Sequence, residues 1–178
     1  MRSPRARIGL LALPTLLAAC GGTPAPNLAA PHYAGLSCAP FARALTGVDL
    51  HGPAASWWGE AAGRYVQSHR PQTGSILVLA ATDRLPSGHV SVVSQVQGPR
   101  DIAVIQANWV PGVLARDEKV VDVSAANDWT LVRVWYAPVG AMGVHAYPAL
   151  GFIVPDAPAG HAALSAQAAA AARTAAGG

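Results

Sequence analysis

The sequence predicts an α+β domain with N-terminal helices packed on a mostly antiparallel β-sheet. Three observations predict it. Helical patterns come first between residues 37 and 155, period-two apolar runs follow, and short turn-rich pieces separate those runs. The 178 residues allow one such domain with a sizeable core and leave little room for a second.

The first helix is expected over Ala39–Thr46, with Pro40 tolerated in its first turn and Gly47 as its stop. A second fits Ala54–Tyr65, opened by Pro53. Strands are predicted at Ser75–Ala80, His89–Val96, Asp101–Ala107, Lys119–Val123 and Leu131–Tyr136. Leu85-Pro86-Ser87-Gly88 and Gln97-Gly98-Pro99 supply turns between them, and Asp128-Trp129 is read as the turn before the last core strand. All five tryptophans fall in this region, and no internal repeat is present.

The flanks differ in kind. Residues 1–19 combine a basic head (Arg2, Arg5, Arg7), an apolar run from Ile8 to Leu17 and a small-residue end, the layout of an export signal. The run is about half the ~20 residues that a spanning helix needs. Leu17-Ala18-Ala19-Cys20 resembles the lipobox of bacterial lipoproteins, which implies lipidation of Cys20 and a durable multi-chain membrane anchor. The plainer reading is an ordinary secretory signal with Cys20 incidental. Gly21 rather than aspartate after the cysteine implies transport to an outer membrane, on its periplasmic face. Residues 20–36 are read as a lipidated tether, and 156–178 as an Ala-rich, disordered tail unable to build a core.

The formal charge of +3 is carried by the signal, because the remaining chain has nine basic and nine acidic residues. Nothing forms a basic stripe for phosphates, so nucleic acid is excluded as a partner. The cysteine inventory is more telling. With Cys20 lipidated, Cys38 is a single free thiol in an oxidising compartment, where catalysis or burial as a small hydrophobe must account for it.

Cys38 stands immediately before the first helix, where unsatisfied N–H groups and the positive end of the helix dipole favour thiolate. Of the six histidines, His89 opens a strand after the Pro86-Ser87-Gly88 turn, at the rim of a sheet. Gln106 and Asn108 lie two apart at the end of the next strand, so alternation puts both on one face. Either amide can accept a hydrogen bond from the His89 ring and fix its tautomer. Taken singly, each of these residues is equally explained as packing or strand capping.

Together they resemble a family. Ser37-Cys38-Ala39-Pro40-Phe41-Ala42-Arg43, Gly52-Pro53-Ala54 with Trp57-Trp58, Pro71-x-x-Gly74-Ser75-Ile76-x-Val78, Gly88-His89-Val90-x-Val92-Val93 and Gln106-Ala107-Asn108-Trp109 are similar, in order and spacing, to the signatures of CHAP domains. These are cysteine- and histidine-dependent amidohydrolases or peptidases. The resemblance implies a papain-like fold over 37–155, cleavage of peptidoglycan amide bonds by an endopeptidase or amidase, Cys38 as nucleophile and His89 as base. Many members carry Glu-x-Asn where this chain has Gln106-Ala107-Asn108, so Asn108 is assigned the orienting role and Gln106 a neighbouring one. Trp58 and Trp109 are candidates for the substrate groove, and equally for the core. Some relatives bind calcium through an acidic loop before the cysteine, but 31–37 holds no carboxylate, so no metal is expected. Nor is any cofactor, and the chain is expected to act as a monomer. The competing reading is a catalytically silent lipoprotein that binds the wall or a partner protein through the same cleft.

Overall fold

The computed structural model describes residues 31–177. The expected export signal, residues 1–19, and Cys20 lie outside the described residues. Helix α1 (Cys38–Thr46) buries Ala39, Phe41, Ala42 and Leu45, a stripe at helical spacing. Gly47 ends it in the left-handed conformation, its N–H bonded to the Arg43 carbonyl. The second expected helix is shorter than read: a 3₁₀ turn at Ala54–Ser56 leads into α2 (Trp57–Ala61), and the chain turns away at Gly63 (φ 73°).

Eight strands follow: β1 (Val66–Ser68), β2 (Ile76–Leu79), β3 (His89–Val96), β4 (Asp101–Ala107), β5 (Leu114–Asp122), β6 (Leu131–Tyr136), β7 (Ala141–Met142) and β8 (Tyr147–Val154). Every pairing is antiparallel. The α+β expectation holds, with one correction to the sheet. The order β8-β2-β3-β4-β5-β6 returns on itself, because the start of β8 pairs with β6 (Leu131↔Pro148, Val132↔Tyr147). Six strands therefore close into a barrel, while β1 and β7 attach outside the ring. Closure removes the two sheet edges that an open sheet must protect.

Alternation divides the core in two. Leu77, Leu79, Val93, Ile102, Val104 and Phe152 fill the barrel, where Trp129 meets Phe152 edge to face at 5.7 Å. Ile76, Val78, Val90, Val92, Ile105 and Ile153, their neighbours in sequence, face outward and join the buried face of α1.

The segment from Pro155 onward corrects a second expectation. Residues 161–176 form helix α3, packed on α1, with Leu164, Ala168, Ala171, Ala172 and Ala175 buried. Alanine is the strongest helix former, and a stripe of methyl groups lets two helices approach closely, so the missing bulk aids packing here. Its first residue, His161, bonds Asp117 on β5 at 3.2 Å. The tether reading likewise fails for its last residues: Tyr33 N–H donates to the Gly112 carbonyl at 2.7 Å, and Leu36 is buried.

Candidate active site

The site forms where two strands part. β3 and β4 pair from Val96↔Ile102 to Val92↔Ile105 and no further, so His89–Ser91 and Gln106–Ala107 have no ladder partner across the gap. His89 pairs with Leu79 on β2, and Gln106 follows Val104 by two, so both side chains belong to the barrel face, at its mouth. Helix α1 lies over β3 and β4 on the other face.

Cys38 is the first residue of α1. Ser37 makes no side-chain cap, Pro40 has no N–H, and Phe41 N–H donates to the Ser37 carbonyl at 3.2 Å. The open donors of the first turn are therefore the N–H groups of Cys38 and Ala39. Both lie beside the sulfur, as does the N–H of Val90 from the unpaired end of β3. Cys38 thus sits next to the residue that follows His89. Burial pushes the thiol up, and the N–H groups of Val90, Ala39 and Cys38 itself pull it down less strongly. Burial thus works against the thiolate that the helix start was expected to favour.

His89 is buried, and its Nε2 is 2.9 Å from Gln106 Oε1. Burial lowers its pKa from 6.5 to about 4, against an opposing contribution from the Gln106 bond, so the ring is neutral at neutral pH. The Gln106 amide is held from behind as well, its Nε2 donating to Glu118 Oε2 on β5 at 2.7 Å. A neutral imidazole beside a thiol whose neutral form burial favours suits a general base that takes the thiol proton as attack proceeds.

The assignment of the orienting role to Asn108 is corrected. β4 ends at Ala107, and Asn108 takes a left-handed backbone (φ 63°), so alternation no longer governs it. Its Oδ1 accepts from Gly112 N–H at 2.8 Å, closing the turn between β4 and β5. The two tryptophans also separate. Trp58 lies on Gly151 of β8, where a Cβ would meet its ring at 2.6 Å, and against His69 at 5.8 Å. These contacts are packing contacts. Trp109 touches the site, its ring 5.0 Å from that of His89 and 5.2 Å from that of Tyr147. Beside it opens a cavity of about 510 Å³, lined by Arg84, Trp109, Tyr136, Met142, Val144 and Tyr147 among others. Sequence reasoning missed Tyr147 and Glu118, whose places depend on barrel closure and on strand register.

Residues 29–108 match the family model for the CHAP domain, a span that contains Cys38, His89 and Gln106 and stops before β5. Among solved structures, the chain is similar to one described as the crystal structure of Ly7917 with the hydrolyzing product of MDP. That similarity has 20% sequence identity and a TM-score of 0.37, and covers 61% of this chain and 40% of that one. The chain thus spans under half the length of that structure. No curated protein matches the sequence.

Proposed function

We propose that this chain is a cysteine-dependent hydrolase of peptidoglycan amide bonds, with a papain-like arrangement of Cys38 as nucleophile and His89 as base. The observation that carries the reading is the Val90 N–H beside the Cys38 sulfur, which brings the uncapped helix start bearing Cys38 against the strand end bearing His89, whose ring Gln106 engages. The CHAP match over residues 29–108 supports peptidoglycan as the substrate class.

Cys38 Sγ attacks the amide carbonyl while His89 Nδ1, the ring nitrogen not engaged by Gln106, accepts its proton. The N–H groups of Cys38 and Ala39 stabilise the oxyanion, and the protonated ring then donates to the leaving amine. Water attacks the thioester, with His89 again as base, and the thiol is restored. The rings of Trp109 and Tyr147 line the approach beside His89.

The proposal includes a lipid anchor on Cys20, holding the domain at the periplasmic face of an outer membrane. Mass spectrometry of the mature amino terminus tests the anchor: an acylated Cys20 supports it, and an unmodified start elsewhere refutes it. Fragment analysis of digested peptidoglycan tests the activity. New amino termini within stem peptides or crosslinks identify an endopeptidase, and free stem peptides released from glycan identify an amidase.

A further inference from the structure

The Gln106 side chain is an amide with two orientations related by a half-turn, and only one of them suits a base at His89. With its oxygen toward the ring, Gln106 accepts from Nε2–H and leaves the Nδ1 lone pair free. With its NH₂ toward the ring it donates to Nε2, which then carries the lone pair and moves the proton to Nδ1. Nothing in Gln106 itself decides between the two.

Glu118 decides. It reaches Gln106 through a bulge: Val104 pairs with Glu118 and Gln106 with Ala115, so Arg116 and Asp117 together oppose Ile105. Asp117, within the bulge, takes a left-handed backbone (φ 52°), and its carboxylate accepts from the Ser94 hydroxyl at 2.7 Å. The register puts Glu118 on the barrel face with Val104, where its carboxylate takes the Gln106 NH₂ at 2.7 Å. An ionised carboxylate only accepts, so with Glu118 ionised the amide nitrogen turns to it and the oxygen to His89.

We propose that Glu118 is a positioning residue for the Cys38–His89 pair, fixing through the Gln106 amide which nitrogen of the His89 ring carries the proton. The inference rests on the hydrolase reading for its purpose, but not for its test. The acidic contribution comes from β5, one amide removed from the imidazole, rather than from a carboxylate at position 106 itself. A carboxylate in direct contact has two equivalent oxygens and needs no orienting partner, whereas an amide needs one.

The test is ¹⁵N NMR of the His89 ring at neutral pH, with peptidoglycan hydrolysis measured in parallel, on the intact chain and on two variants. The parent is expected to show protonated Nε2. Glu118→Ala is expected to show a mixture of tautomers and a loss of about 10- to 100-fold, in kcat rather than KM. In the Gln106→Glu/Glu118→Ala variant, Nε2–H and most of the lost activity are expected to return, because the orienting step is no longer needed. Nε2–H alone in a folded Glu118→Ala chain overturns the proposal. If Glu118→Ala does not fold, the near-isosteric Glu118→Gln decides, since an amide at 118 can either donate or accept: a mixture of tautomers supports the proposal and Nε2–H alone overturns it. Absence of hydrolysis in every form, parent included, counts against the hydrolase reading, while the tautomers still decide the role of Glu118.

Discussion

At Cys38 and His89, two effects of burial point the same way: each group is held in its neutral form, although a helix terminus and a polar network surround them. Alkylation of Cys38 by iodoacetamide is therefore expected to keep rising with pH beyond the ordinary thiol pKa of about 8.5, with no plateau near neutrality, following deprotonation of a buried thiol. A rate already on a plateau in acid would indicate a preformed thiolate–imidazolium pair. The two amides at the end of β4 give a sharper contrast. Gln106→Ala is expected to cost hydrolysis about 10² in kcat, since it releases the imidazole. Asn108→Gly, which preserves the left-handed backbone and removes only a turn-closing bond, is expected to leave kcat within a few-fold of the parent. Equal losses would return the orienting role to Asn108. Cys38 and His89 could be picked out in the sequence because each stands at the end of an element, beside punctuation by proline or glycine. Glu118 could not, because the run Arg116-Asp117-Glu118-Lys119 is a plain charged stretch until the bulge sets its register.

At the level of elements, apolar runs bounded by turns were readable, and a strand interrupted by proline and glycine was not. Ile76–Leu79 and Asp101–Ala107 declare themselves by apolar runs between turns. β8 contains Pro148 and Gly151, which count against a strand in sequence but serve this one: the backbone bulges opposite Val78/Leu79, and Gly151 (φ 137°) leaves room for the Trp58 ring. Missing β8 meant missing the closure of the barrel. Helix α3 was hidden differently, since a run of alanine has no contrast between its faces until α1 covers one of them. Its stripe makes a direct prediction: Leu164→Ala is expected to destabilise the fold by about 2–5 kcal/mol, as for other fully buried leucines. Urea unfolding measures it, and a change under about 0.5 kcal/mol would mean that α3 does not pack on α1 in solution.

For the whole molecule, acid stability follows from the same buried imidazole. The folded pKa of His89, about 4, lies below its ordinary value, so between these limits the unfolded chain binds the extra proton and stability falls as pH falls from about 6.5 to 4. The full effect is on the order of 3 kcal/mol. Glu118, whose pKa burial raises, acts with opposite sign, its contribution diminishing as pH rises through the carboxylate range. Asp49, Glu60 and Asp128 are held down by hydrogen bonds from the His51 side chain, the His51 backbone N–H and the Thr130 hydroxyl, and lose their contributions only as pH falls below the ordinary carboxylate values. Comparison of the parent with His89→Gln isolates the histidine, whose removal is expected to flatten stability between pH 6.5 and 4. An unchanged slope would mean that His89 is solvated in the native state. The central claim concerns the chemistry that this barrel mouth and helix start perform together. Its most direct test is incubation of the full chain with purified peptidoglycan beside a folded Cys38→Ala variant, with the soluble products read by mass spectrometry. Fragments released by the parent and absent with the variant are the predicted result; identical products from both would contradict a cysteine-dependent hydrolase.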